Sequence, residues 1–185
     1  MISHPPTDAN SHINHISFAW PMSVLKDING NCVGFLMPEV INARQLIDIY
    51  DLQHCNNLRL GINWRPLHVR ALNIASFIAA LHDSGYVLGD IKLQNILVSN
   101  LALPSIIDTD SFQVKNPQNG KVHRCLVGSE GYIPPELIGK DISSIKQMEV
   151  HDRFRLGVII YELLFGGNSP FQGKWIGAGE TPEIN

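Results

Sequence analysis

A polar loop that runs straight into an apolar hairpin constrains this chain more than any other feature. Val87-Leu88-Gly89-Asp90-Ile91-Lys92-Leu93-Gln94-Asn95 carries an Asp, a Lys two residues on and an Asn five residues on. Ile96-Leu97-Val98 then reads as a short strand, Ser99-Asn100 as a turn, and Pro104-Ser105-Ile106-Ile107 as a returning strand that delivers Asp108. A hairpin brings its open ends together, so Asn95 and Asp108 are expected to face each other. Magnesium is a hard cation that takes oxygen ligands in tight octahedral geometry, and these two side chains can offer such oxygens. Asp90 can accept a proton from an attacking hydroxyl or orient it. Lys92 brings a point charge able to neutralise a transferring phosphate. The spacing therefore suits transfer of a phosphoryl group from a magnesium-bound nucleotide to a hydroxyl. The plainer alternative is a polar turn between a helix and a hairpin, since Asp and Asn are ordinary turn residues.

The loop resembles the catalytic loop of the protein kinase family, H-R-D-L-K-x-x-N, with Asp108 standing where the D-F-G aspartate falls. Further matches come in the family's order. Gly128-Ser129-Glu130-Gly131-Tyr132-Ile133-Pro134-Pro135-Glu136 resembles the segment that ends in A-P-E. Asp152-Arg153-Phe154-Arg155-Leu156-Gly157 resembles the D-x-W-S-x-G opening of a large buried helix, and Gly34 to Val40 resembles the strand and hinge that hold adenine. The resemblance implies an α+β, protein kinase-like fold, here incomplete: a remnant β-hairpin of the N-lobe and a hinge, then a mainly α-helical C-lobe with a catalytic-loop β-hairpin. It implies ATP and Mg2+, with Asp90 and Lys92 as catalytic residues and Asn95 and Asp108 as metal ligands. Met37, Pro38, Val40, Lys92 and Asn95 would meet the nucleotide. Ser129 would belong to a platform for a protein substrate. Asp152 would hold the catalytic-loop backbone, and Glu136 would form a buried ion pair with an Arg beyond the matched region.

The chain departs from the family pattern in several places. Leu88-Gly89 stands where His-Arg is usual. That Arg reads a phosphate on the activation segment through charge-assisted bonds, so phosphorylation there is not expected to switch this chain on. Asp108-Thr109-Asp110-Ser111-Phe112-Gln113 replaces D-F-G and resembles a bacterial serine/threonine kinase-like branch. Neither a Gly-rich phosphate loop nor a V-A-I-K lysine precedes the hinge, and the family's last helices do not follow Ser169-Pro170-Phe171. The expectation is a partial kinase whose N-lobe a further segment or a partner chain would complete.

The boundaries follow. Residues 1–16 read as a disordered lead, polar and with a Pro5-Pro6 pair. Residues 17–37 would be remnant N-lobe strands, Ser17 to Leu25 and Cys32 to Met37, joined through Asn29-Gly30. Residues 38–42 are the hinge and 43–172 the C-lobe, with the catalytic loop at 88–95 and the activation segment at 108–136. Residues 173–185 form a tail. Ala43 to Tyr50 reads as a short helix and Pro66 to Ser84 as a longer one, with a core-facing stripe of Leu67, Ala71, Ile74, Ala75, Ile78, Leu81 and His82. Asp152 to Gly166 reads as a buried helix with Asp152 at its cap.

Composition excludes several classes. Charged residues make up 17% of the 185 and the formal net charge is −3, without a basic run, which argues against nucleic acid. Leu156 to Phe165 is too short and too interrupted to span a membrane. Cys32, Cys55 and Cys125 have neither disulfide nor zinc spacing and suit a reducing cytoplasm. His4, His12 and His15 read as scattered surface residues, and His82 as a packing residue near a helix end. Three functions are compatible with the sequence: a protein serine/threonine kinase-like domain, weak or inactive alone; a non-catalytic scaffold; or a small-molecule phosphotransferase, whose loops also resemble this one.

Overall fold

The computed structural model describes residues 1–8, 10–50, 64–173 and 176–178. Strands β1 (Ser23–Lys26) and β2 (Cys32–Leu36) form an antiparallel hairpin. Its turn is closed by Asp27, whose carboxylate accepts the backbone N–H groups of Asn29 and Asn31 at 2.9 and 2.8 Å. Gly30 sits at φ +84°, where a side chain would be strained. The extended segment after β2, with Asn42 at φ +56°, leads to β3 (Ala43–Gln45) and the single turn α1 (Ile47–Tyr50).

The helix expected over Ala43 to Tyr50 is thus present only in its second half, Ile47–Tyr50. Ala43, Arg44 and Gln45 pair with Ser99, Val98 and Leu97 of β4 (Ile96–Ser99), and strand pairing overrides a weak local helix preference. β4 pairs in turn with β5 (Pro104–Ile106), giving a three-stranded sheet in the order β3-β4-β5.

Helix α2 (Trp64–Asp83) covers the expected 66–84 helix. Ala71, Ile74, Phe77, Ile78 and Leu81 line its buried face, and Gly85 follows at φ +81° as the stop. Helix α3 (Glu149–Leu164) packs against α2, burying Val158, Ile159 and Leu163. Between β5 and α3 runs a long segment with 3-10 turns at Thr109–Ser111, Pro135–Leu137 and Ile142–Ser144 and one small hairpin, β6 (Val114–Lys115) and β7 (Val122–His123). No helix among the described residues is long and apolar enough to cross a membrane.

Two expectations about the N-terminal part need correcting. Residues 1–8 and 10–16 are not a loose lead. The Trp20 indole N–H donates to the Met1 carbonyl at 3.2 Å, and the Tyr86 hydroxyl donates to the His4 carbonyl. Asp8 accepts from the Ser17 hydroxyl at 2.6 Å, and Ser11–Ile13 forms a 3-10 turn. Polar side chains here anchor backbone to the lobe. Likewise Ser17 to Trp20 are not upper-lobe strand residues. They run beside β5, with Ala19 N–H donating to the Ile106 carbonyl at 3.0 Å and Ile106 N–H to the Ser17 carbonyl at 2.9 Å. Phe18 and Trp20 join the main core, Phe18 at 4.4 Å from Phe77 and Trp20 edge-on to Tyr86 at 4.9 Å between ring centres. Aromatic burial of this size outweighs extension of a two-stranded ribbon.

Candidate active site

The site begins with two backbone restraints. The segment between α2 and β4 must turn sharply, and Gly89 does so at φ +77°. A Cβ at this position would lie 2.5 Å from the Cβ and 2.7 Å from the sulfur of Cys125, so no larger residue fits. Behind the turn, the fully buried Asp152 accepts the backbone N–H groups of Leu88 at 2.7 Å and Gly89 at 2.9 Å. His82 Nε2 lies 3.0 Å from the same carboxylate, and Arg155 donates to it at 3.3 Å. Asp152 is the fourth residue of α3, not its cap as the sequence suggested. The Met148 N–H finds its acceptor in His151 Nδ1 at 3.1 Å instead.

Held this way, Asp90 is 7% exposed and its two oxygens are both engaged. Lys92 Nζ donates to one at 2.8 Å and the Ser129 hydroxyl to the other at 2.8 Å. Lys92 also donates to Ser129 at 3.0 Å, closing a triangle of three side chains drawn from two distant segments. On the hairpin side, Asn95 Nδ2 lies 3.1 Å from Asp108 Oδ2 and 3.3 Å from the Asp90 carbonyl. The expected convergence of Asn95 and Asp108 is therefore present. It follows from β4–β5 pairing, in which Ile96 faces Ile106, reinforced by the Ile107 N–H donating to the Asn95 carbonyl at 3.0 Å.

Asp108 adopts φ +63°, a conformation Asp tolerates better than most residues. Burial and the adjacent Asp110 carboxylate push the Asp108 carboxyl up, with Lys92 pulling it back down. A cleft of about 510 Å³ opens beside these groups, lined by Asp90, Lys92, Asp108, Asp110, Arg124 and Ser129. Met37, Pro38 and Val40 follow β2 and are not among its lining residues.

The donor set suits a hard divalent cation. A carboxylate and a carboxamide converge, the carboxamide nitrogen turned to Asp108, and the nearby Asp110 and Asp90 carboxylates add negative charge that a cation would relieve. Among the described residues no group of three or more His, Cys, Asp or Glu could hold a metal. A magnesium ion here would depend on phosphate oxygens for the rest of its shell, as such ions often do.

Several supporting residues escaped sequence reading. Thr109 takes the place next to Asp108, is fully buried, and donates to the Ala19 carbonyl at 2.7 Å. The aromatic ring arrives three residues later, with Phe112 buried 6.2 Å from Trp20. Among the described residues Glu136 has no Arg partner. Its side chain is half-exposed and lies 3.5 Å from His151 Nε2, because α3 begins early enough to place an imidazole there.

With this geometry, the chain belongs to the protein kinase domain family, whose model matches residues 32–180. Among its relatives, the protein kinase YegI of Escherichia coli K12 is 35% identical over 157 residues, which cover 84% of this chain and 24% of that protein. The protein of the same name in Escherichia coli O157:H7 is 34% identical over the same span. The Rho-associated protein kinase let-502 of Caenorhabditis briggsae is 39% identical over 106 residues, 55% of this chain and 8% of that one. The chain thus spans about a quarter of the length of its Escherichia coli relatives. The fold is a partial α+β kinase-like fold, and the chemistry of the class is that of a transferase.

Proposed function

We propose that the chain carries the catalytic half of a serine/threonine kinase, moving the γ-phosphoryl group of ATP to a hydroxyl on a protein substrate. The single observation that supports this best is the Asp90–Lys92–Ser129 triangle set against the Asn95–Asp108 pair. Asp90 is held by two donors and faces a cleft, so it can orient an acceptor hydroxyl and take its proton as the new O–P bond forms and the bond from the γ-phosphorus to the β-phosphate oxygen breaks, releasing ADP. Lys92, already within reach of both Asp90 and Ser129, would swing its charge onto the moving phosphoryl oxygens. Ser129 ties the 111–129 segment to the reacting carboxylate, and an acceptor chain would lie along that segment. Asn95 and Asp108 would hold magnesium, which when bound neutralises the charge on the nucleotide phosphates. Backbone near Met37, Pro38 and Val40 would meet the adenine. A partner or further segment covering the β1–β2 hairpin would complete the nucleotide site.

The test uses the full-length protein that contains this chain. ATP-dependent phosphorylation of serine or threonine in a protein acceptor is expected, and Asp90→Asn should lower it by about 10² to 10⁴-fold. Equal rates in the two proteins would defeat the role given to Asp90, absence of any transfer would leave the scaffold reading, and transfer confined to a small molecule would support the second alternative.

A further inference from the structure

A continuous run of buried polar groups lies behind the site and takes no part in the proposed chemistry. Arg155 and Gln147 are each 1% exposed and Gln113 is 5% exposed. The Gln113 side chain pairs with the Gln147 backbone in both senses: its Nε2 donates to the Gln147 carbonyl at 2.9 Å, and the Gln147 N–H donates to its Oε1 at 2.8 Å. The Gln147 side-chain oxygen accepts from Arg155 at 2.7 Å. The other arm of that guanidinium donates at 3.3 Å to the Asp152 oxygen that also accepts the Gly89 N–H. Gln113 returns to the loop through its own backbone, its N–H donating to the Val87 carbonyl at 2.8 Å. Both ends of the run are therefore fastened to residues 87–89.

We propose that Gln113, Gln147 and Arg155 form an internal lock that holds the 111–129 segment, and with it Ser129, against the Asp90 loop without any phosphate on that segment. Two features make the lock self-sufficient. Lifting the segment would take from the Gln147 backbone N–H and carbonyl the two partners that the Gln113 side chain supplies, and a buried backbone group left without a partner is costly. And the cation next to the loop is sealed inside: Arg155 has both arms occupied, and the space beside Gly89 through which a longer side chain would reach outward is filled by Cys125. Gln113 and Arg155 are positioning residues, since neither lines the cleft. The inference rests on the proposed function only in what is being positioned.

Cys125 reports on the lock directly, because it is fully buried against Gly89. The measurement is thiol labelling of Cys125 in the 185-residue chain with Cys32 and Cys55 replaced by Ser. Gln113→Ala and Arg155→Met should each speed labelling by about tenfold or more while the fold still melts cooperatively, a tenfold change in opening corresponding to about 1.4 kcal/mol. Arg155→Lys should fall between them and the parent, and Lys121→Ala, at the exposed hairpin tip, should label at the parent rate. In the full-length protein, Gln113→Ala should lower kcat about tenfold with the KM for ATP unchanged, and phosphatase treatment of the parent should leave its rate intact. Parent-like labelling in folded Gln113→Ala would overturn the lock, as would loss of activity on phosphatase treatment. Should Arg155→Met not fold, Gln113→Ala decides. If the full-length protein transfers no phosphate, the functional reading fails while the labelling series still tests the lock.

Discussion

At the scale of single residues, Gly89 and Cys125 illustrate how a departure from a family pattern can be a packing solution. The backbone at Gly89 is left-handed, and the closest neighbour of a would-be Cβ is the Cys125 Cβ, not only its sulfur. Gly89→Ala is therefore destabilising for two reasons, backbone strain of about 1–2 kcal/mol and overpacking of about 1–3 kcal/mol. Removing the sulfur alone relieves only part of the second, since Cys125→Ala keeps the clashing carbon whereas Cys125→Gly clears both atoms. Chemical denaturation should show Gly89→Ala costing less alongside Cys125→Ala than in the parent chain. Alongside Cys125→Gly it should cost least, with most of the overpacking share of about 1–3 kcal/mol gone. An equal cost in all three backgrounds would mean that the two residues do not touch. The Asp152 carboxylate is of a different kind. It serves two backbone N–H groups, an imidazole and a guanidinium at once, and no local sequence signal announces that a helix residue will be so shared.

At the scale of elements, α3 owes part of its start to an imidazole. His151 Nδ1 must be unprotonated to accept the Met148 N–H, while Nε2 turns to Glu136. Burial lowers the His151 pKa, and the Glu136 charge works in the opposite direction. A folded-state pKa below the unfolded value means that the unfolded chain binds the proton more readily. This contribution to stability is complete above the ordinary histidine value of 6.5 and is lost as the pH falls through the folded pKa. Glu136→Gln removes the raising influence, so it should destabilise the chain more at pH 5 than at pH 8. The extra loss should be below about 1 kcal/mol, because the carboxylate is half-exposed. Urea unfolding at the two pH values checks this, and an equal loss at both would contradict the assignment. The elements also divide by legibility. The β4–β5 hairpin was readable because its polar ends, apolar arms and turn are contiguous in sequence. β3 was not, since Ala43 to Gln45 carry helix-compatible residues and their strand partners lie more than fifty positions away. The Gln113–Gln147 and Arg155 contacts were equally hidden, because ordinary polar residues acquire such roles only through tertiary proximity.

At the scale of the whole molecule, the lower lobe and the β1–β2 hairpin differ in kind. The lobe was legible in outline because kinase-type motifs occur in order along it, and its core gathers α2, α3 and the β3-β4-β5 sheet into one cluster. What composition concealed was the amino-terminal stretch, polar by count yet fastened by backbone bonds to Trp20 and Tyr86. The hairpin has no comparable cover among the described residues. All four residues of β1 are exposed, and Val24, Leu25, Val33 and Leu36 present apolar surface at 46%, 42%, 65% and 50% exposure. Two strands alone are marginal in water, and their free edges offer unpaired backbone groups to another chain. Edge pairing between copies would extend the ribbon and remove that apolar surface from solvent together. The 185-residue chain is accordingly expected to associate as its concentration rises, with the sedimentation coefficient increasing across a dilution series. Val24→Lys combined with Val33→Lys places charge where the paired strands would meet and should return the chain to monomer, leaving the melting of the lower lobe unchanged because neither residue belongs to its core. A parent chain that sediments as a monomer throughout the series would show that this hairpin tolerates its exposure, and the case for a covering partner would fall with it.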